Sequence, residues 1–353
     1  MTIALETTSL STTEIRSAEL EHEIAAEPDR FRILTGDRPT GAMHIAHYFG
    51  TLENRVRLQD LGVELFVLIA DYQTITDRDS PASLSEDVEG VIADYLATGI
   101  DPDRATVFAH SQVPALNQLL LPFLSLVSVA EVRRNPTVKE EYAATGGSQM
   151  SALMFTYPVH QAADILFCHA NLVPVGKDQL PHLEITRTIA RRFNERYGDF
   201  FAPPEALLSA APLLLGTDGQ KMSKSRGNAI NLRASADETA RLIRGAKTDA
   251  DRTITYEPAR RPEVANLLEL AALCQGRTPE QVAAEVGDGG SAALKTVLTE
   301  AVNERFAAIR ARRAELTEDR GYLRSVLRAG NERAREVAAQ TLAGVHRLMH
   351  TTY

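Results

Sequence analysis

The chain predicts an α/β fold: a parallel sheet flanked by helices, followed by an all-α helical domain. Three observations lead there. Short apolar runs alternate with longer helix-patterned stretches from residue 31 to about 232. Strand signals stop after residue 235. The 353 residues also exceed what one hydrophobic core usually organises, so two domains are expected.

The elements follow in order. Residues 1–29, rich in Ser, Thr and Glu, read as a flexible N-terminal extension with room for a short helix over 15–25. No basic start precedes an apolar core there, so no signal peptide is expected. Residues 32–35 read as a first strand, 36–41 as a Gly/Pro loop and 47–61 as a helix. A second strand follows at 64–70. A helix at 84–99 comes after the start signal Ser80-Pro81, and a third strand occupies 105–109. This β-loop-α-β order points to a parallel sheet with helices on both faces. Within the first domain, 30–232, the stretch 106–150 reads as an insertion. Its 117–129 part is helical and apolar, and its 136–149 part is polar and mobile around Gly146-Gly147. The second domain, 233–353, has apolar residues at three- and four-residue spacing over 301–316 and 328–349.

Composition removes several classes. The longest apolar stretch of interest, 66–70, is far too short for a membrane span and reads as a buried strand. The net charge of −9 argues against a uniformly basic surface, although local basic stripes can still meet a nucleic acid. Cys168 and Cys274 have no metal-ligand spacing, so no metal site is expected, and a reducing, cytoplasmic setting is.

Two segments carry the first chemistry. In Thr35-Gly36-Asp37-Arg38-Pro39-Thr40-Gly41 a strand enters a tight turn, and a helix begins near His44 and His47. Free N–H groups at such a helix start, with histidine donors beside them, suit a polyphosphate. Alone, the segment reads more readily as two solvent-facing histidines at a helix start. Lys221-Met222-Ser223-Lys224-Ser225 follows a turn-rich stretch. Two lysines three apart can neutralise phosphates, although an ordinary solvated basic loop has the same letters.

Together, in this order, the segments resemble the HIGH and KMSKS signatures of class I aminoacyl-tRNA synthetases. Ala46 stands where that family has Gly. The resemblance extends to the tryptophanyl branch through Tyr157-Pro158-Val159, Gln161-Ala162-Ala163-Asp164, Val173-Pro174-Val175-Gly176-Lys177-Asp178-Gln179, Lys247-Thr248-Asp249 and Asn266-Leu267-Leu268. It implies a Rossmann-like catalytic domain and a helical anticodon-binding domain. It also implies ATP with Mg²⁺, L-tryptophan and tRNA(Trp) as ligands, and a homodimer formed through the insertion. His44, His47, Lys221 and Lys224 would be catalytic. Arg38, Pro39, Thr40, Ala46, His47, Gly176, Lys177, Asp178, Leu213, Lys221, Met222, Ser223, Lys224 and Ser225 would meet ATP.

Tyr157, Gln161 and Asp164 recur at i, i+4 and i+7, on one face of a helix that is otherwise apolar. Buried polar groups need partners, either inside the helix packing or in a ligand. An indole N–H is donor only, and the resemblance assigns its acceptor to Asp164. It assigns the substrate's charged ends to Tyr157 and Gln179. Gln161, where the commonest bacterial pattern has Met, is familiar from tyrosyl enzymes, so tyrosine is the alternative substrate. Gln73 replaces a frequent His, and with Ala46 and Gln161 it points to a divergent or auxiliary paralogue. A synthetase-derived amino-acid sensor would keep the same pocket, and a nucleotidyltransferase outside translation would share the histidine motif. Both lysines and the helical domain weigh against these two readings. Among Arg305, Arg310, Arg312, Arg313, Arg320, Arg324, Arg328, Arg333 and Arg335, salt bridges along the helix are expected for most and tRNA phosphates for some.

Overall fold

The computed structural model describes residues 2–76, 83–144, 150–176, 179–208, 214–223 and 226–353. Five parallel strands form one sheet in the order β3-β2-β1-β4-β5. They are β1 (Arg32–Asp37), β2 (Glu64–Ile69), β3 (Ala105–Ala109), β4 (Leu172–Val175) and β5 (Glu205–Leu208). Alternate residues feed two cores. Ile33, Leu65, Val67, Ile69 and Val107 enter one, while Leu34, Phe66, Leu68 and Phe108 enter the other. Burial on both faces explains why β2 reads as a continuous apolar run. β1 continues two residues past the expected strand, into the expected loop. Gly36 permits this, because a Cβ there would lie 2.3 Å from the Leu68 carbonyl oxygen.

The chain builds outward through β2 and β3, then returns to add β4 and β5 on the other side of β1. Strand order therefore reverses between β1 and β4, and a crevice opens at their carboxyl ends.

Helices from the two ends of the chain cover the two sheet edges. α1 (Thr2–Ala26) lies along β5. Ser17 Oγ donates to Ala206 O at 3.3 Å and accepts from Leu208 N at 2.9 Å. Arg16 forks onto Glu205 at 2.6 and 2.9 Å, and Leu20 and Ile24 are fully buried. The expected flexible extension is thus helical, and from Ser17 onward it is docked. Exposed edges invite pairing with other chains, so this cover has a clear physical use.

After β1 come α2 (Ile45–His47), a π-helical turn (Tyr48–Leu52) and α3 (Glu53–Leu61). α4 (Leu84–Thr98) lies between β2 and β3. The insertion holds α5 (Ala115–Leu124), α6 (Val129–Arg134) and α7 (Pro136–Ala144). The polar stretch expected to be mobile from 136 is helical as far as Ala144; Pro136 at the first position is preorganised for a helix start. Gly146-Gly147 lies outside the described residues. α8 (Ala152–Leu166) and α9 (Leu180–Tyr197) flank β4.

The C-terminal part contains α10 (Ala236–Arg244), α11 (Pro262–Gln275), α12 (Pro279–Val286), α13 (Gly290–Glu318) and α14 (Arg320–Leu348). α13 packs on α4, α10 and α11, while α14 returns to β3, α4 and α5. Asn331 of α14 accepts the Ala109 N–H at 2.9 Å, closing the β3 edge.

The arginines differ from expectation. Most reach out of their own helix and fasten it to the sheet domain. Arg305 meets Glu53, Arg313 meets Asp94, and Arg320 and Arg324 share Glu89. Arg333 and Arg335 donate to carbonyls of Ala105 and Gln112. Arg312–Glu315, at 3.7 Å, is a pair along the helix of the expected kind. Asp94 is 1 % exposed and also accepts the Met43 N–H at 3.2 Å, so α13 is tied to the turn that carries His44. Burial outweighs Arg313 and raises the Asp94 carboxyl above its usual value.

Candidate active site

A cleft of about 250 Å³ occupies the crevice between β1 and β4. β1 contributes Leu34 to Asp37, followed by Arg38. β4 contributes Val173 to Val175, followed by Gly176 and Gln179. α8 contributes Tyr157, Gln161, Asp164 and Ile165. The fold thus brings together seven of the residues singled out in sequence: Arg38, Tyr157, Gln161, Asp164, Gly176 and Gln179, with Gln73 from the segment after β2.

The helical spacing holds. Ser151 caps α8 by accepting the Met154 N–H, and Tyr157, Gln161 and Asp164 descend one face of the helix into the cleft. Asp164 is 2 % exposed. Its Oδ2 accepts from Gln73 Nε2 at 2.9 Å, and its Oδ1 lies 2.6 Å from His110 Nδ1 without an aligned hydrogen bond. Gln161 Oε1 is likewise buried without a hydrogen-bond partner. The buried Gln161 acceptor in the cleft lining needs a donor, because an unmatched buried polar atom costs about 1–3 kcal/mol, and the Asp164 carboxylate beside it has lone pairs beyond those that Gln73 and His110 face. The cavity therefore suits a ligand that brings N–H groups.

Beside them sits a cluster that sequence spacing did not single out. Arg55, 2 % exposed, pairs with Asp37 at 2.6 Å, and the Tyr95 hydroxyl donates to the same carboxylate at 2.8 Å. Burial alone would raise the Asp37 carboxyl, but the Arg55 charge outweighs it and holds the group below its usual range. Thr51 completes this wall.

The histidine segment lies outside the cleft lining, with Pro39, Thr40 and Ala46. His44 precedes α2, and its backbone N–H donates to His47 Nδ1 at 3.1 Å. That bond assigns the His47 ring proton to Nε2, which makes Nε2 a donor. The two rings lie 3.7 Å apart between centroids.

The stretch after the lysine segment is pinned beside the histidine turn. Ile45 N donates to Ile230 O at 3.0 Å, and Leu232 N donates to Met43 O at 2.9 Å. Residues 229–232 thereby run beside the histidine turn. Asn228 organises the loop before them: it accepts from Ser223 N and donates to Lys221 O and Asp218 Oδ1. Asn266 of α11 accepts the Leu215 N–H at 2.6 Å, anchoring the loop to the helical part. Lys221 is exposed and Met222 buried. Lys177, Asp178, Leu213, Lys224 and Ser225 lie outside the described residues.

Comparisons with known proteins bear on this arrangement. The family described as tRNA synthetases class I (W and Y) matches residues 27–307. The tryptophan--tRNA ligase of Treponema pallidum is 42% identical over 338 residues, covering 90% of this chain and 96% of that protein. The tryptophan--tRNA ligase of Streptococcus pneumoniae is 41% identical over 338 residues, covering 91% and 98%. The crystal structure of tryptophanyl-tRNA synthetase from Campylobacter jejuni, complexed with ADP and tryptophan, matches with a TM-score of 0.79 at 30% identity, covering 90% of this chain and 99% of that one. A tyrosyl-tRNA synthetase from Archaeoglobus fulgidus, 22% identical with a TM-score of 0.66, shares the fold.

Proposed function

The chain belongs to the class I tRNA synthetases of the W and Y family, and from that premise we propose that it activates L-tryptophan with ATP and transfers it to tRNA(Trp). The amino-acid carboxylate attacks the α-phosphate, giving tryptophanyl-adenylate and pyrophosphate. A ribose hydroxyl at the tRNA 3′ end then takes the tryptophanyl group, and AMP leaves. Neither step needs an enzyme nucleophile; positioning and charge stabilisation suffice.

One observation carries the reading. At the strand-order reversal, a cleft ends in a buried carboxylate, Asp164, with an acceptor, Gln161, one turn above it. A donor-only indole N–H matches the first. The substrate ammonium meets Gln161 and Tyr157, and Gln179 takes the carboxylate end. Arg38, Pro39, Thr40 and Ala46 border the nucleotide, with Gly176, Lys177 and Asp178 at its ribose. His47 Nε2 donates to phosphate oxygens beside His44, Lys221 and Lys224, where charge develops on the leaving pyrophosphate. Leu213, Met222, Ser223 and Ser225 frame the base and phosphates.

Mg²⁺ enters with ATP. Asp37, the carboxylate beside Arg38, is engaged by Arg55 and Tyr95, so the described residues do not form a carboxylate cage. The ion would be held by phosphate oxygens and water, and it would lower the charge of the triphosphate.

A second copy of the chain docks on the insertion. Val129, 69 % exposed, lines a groove there with Val138, Tyr142, Met150 and Phe155, and Leu121 of α5 is 72 % exposed.

Pyrophosphate exchange measured with each of the twenty amino acids tests the activity. Tryptophan alone should support rapid exchange. Exchange driven by tyrosine would make tyrosine the substrate, and none at all would favour a sensor.

A further inference from the structure

We propose that His110 and His160 are positioning residues for the substrate ring: the two imidazoles stand in line behind Asp164, hold its carboxylate at the floor of the cleft, and make tryptophan binding depend on the proton carried by His110. This rests on the reading of the cleft as the tryptophan pocket.

His110 follows β3, and His160 and Asp164 lie one turn apart on α8. The three are 0 %, 2 % and 2 % exposed, so water cannot serve their polar atoms. His110 Nδ1 lies 2.6 Å from Asp164 Oδ1, and its Nε2 lies 2.9 Å from His160 Nε2. Gln73 holds the other carboxylate oxygen at 2.9 Å. Asp164 is therefore flanked at both oxygens, by Gln73 within the cleft lining and by His110, which is not part of that lining.

Two histidines and a carboxylate within 4.8 Å of one another are also ligand types for a cation. The orientation of the rings argues otherwise. One imidazole cannot give both nitrogens to one ion, and His110 turns Nδ1 to Asp164 and Nε2 to His160. That is a line of proton-sharing atoms rather than a chelate.

One proton lies between the two Nε2 atoms. With both rings neutral, His160 donates to His110 Nε2, and His110 Nδ1–H faces Asp164. With His110 charged, it points a proton at both neighbours, and His160 must carry its own on Nδ1, which is buried without a hydrogen-bond partner. Several groups face His110. Asp164 and His160 come from α8, Asp71 and the Tyr72 ring from the segment after β2, and Asn117 from α5; Arg335 of α14 binds the Gln112 carbonyl nearby. Burial alone would lower His110, but Asp164 outweighs it and holds the ring above its usual value; burial lowers His160. The charged His110 and the substrate N–H compete for the same carboxylate. Losing the Nε2 proton removes the charge and leaves a neutral Nδ1–H facing Asp164, a weaker rival than the charged ring, so tryptophan affinity rises as pH rises through the raised His110 value.

The test is pyrophosphate exchange between about pH 5.5 and 8.5, the range in which histidine titrates, with KM measured for tryptophan and for ATP. In the wild-type protein tryptophan KM should fall severalfold with rising pH while ATP KM does not follow it. His110→Gln keeps a donor to Asp164 but cannot titrate. Its tryptophan KM should stay within about threefold of the high-pH wild-type value, and its pH dependence should vanish. His110→Leu should raise tryptophan KM at least about tenfold at every pH, with ATP KM held. Should His110→Leu fail to fold, the His110→Gln profile decides alone. A His110→Gln protein that keeps the pH dependence overturns the proposal. So does a His110→Leu protein whose two KM values rise together, as a merely structural role requires, and so does a stoichiometric metal in elemental analysis of the purified wild-type protein. A wild-type protein that binds no tryptophan in equilibrium dialysis would overturn the pocket reading itself, a result distinct from any of these.

Discussion

Asp164 shows how much a single residue must satisfy at this site. It is buried, it faces the cleft, and Gln73 and His110 already hold its two oxygens. On the proposed reading of the cleft, replacing it with Ala leaves the indole N–H without an acceptor and leaves the Gln73 amide and the His110 ring without their partner. The loss should be about 1.5–3 kcal/mol, or roughly ten- to hundredfold in tryptophan KM. ATP KM should change little, because the nucleotide contacts lie on other segments. An Asp164→Ala protein with unchanged tryptophan KM would show that the indole does not reach this carboxylate. Asp164 itself was legible in sequence, since its face of α8 repeats at helical spacing. Its supports were not. Gln73 is 91 positions from Asp164, and His110 is 50 from His160. No periodicity links residues brought together by β2, β3 and α8. Gln73 stood out only as a departure from a family pattern, and its bond to Asp164 gives that departure a physical role. Arg55 gave no signal either, because a buried arginine on a helix looks like any solvated one until its Asp37 partner is placed.

At the scale of elements, the regular parts were legible and the contacts between them were not. Three of the five strands and the long C-terminal helices follow from apolar spacing alone. The polar letters of α7 hid a helix whose first residue, Pro136, was itself a start signal. The arginines of α13 and α14 could be read as surface charges because a sequence does not show which face of a helix is docked. Gly330 tests that docking. A Cβ there would lie 1.8 Å from the Val107 carbonyl oxygen of β3. Gly→Ala in a helix normally gains about 1 kcal/mol. Here the added methyl group meets backbone, which cannot swing aside, so strain of about 1–3 kcal/mol or more prevails. Gly344 is the control: its added methyl group would meet only the Phe200 ring, at 2.4 Å, and a ring can rotate away. Gly330→Ala should melt several degrees lower than the wild-type protein, and Gly344→Ala should be much less affected. Equal melting temperatures for Gly330→Ala and the wild type would mean that α14 does not approach β3 so closely.

For the whole molecule, the boundary expected near residue 232 separates sequence patterns better than it separates cores. The helical part, α10 to α13, has its own packing, but α13 also lies on α4, and α14 returns to the sheet. Ala334, Ala338 and Val345 of α14 belong to the same core as Phe108 and Phe123. A chain ending at Leu232 would therefore lose the cover of the β3 edge and part of one sheet face. It would also strand Asp94 and Glu89, whose arginine partners all lie beyond the cut. Unpaired buried carboxylates are strongly destabilising, and an open edge strand beside apolar surface promotes association. The truncated chain should thus be aggregation-prone and show no cooperative melting, rather than behave as a catalytic domain that lacks only tRNA recognition. Removal of residues 1–26 is the contrasting case. It uncovers the β5 edge but touches neither the cleft nor the Asp94 tie, so the protein should melt at a lower temperature and keep its tryptophan KM. Sedimentation, thermal melting and pyrophosphate exchange on both truncations separate the outcomes. A monomeric 1–232 fragment that melts cooperatively and still exchanges pyrophosphate would show that the two parts fold independently, and that the arginine ties between them add little to stability.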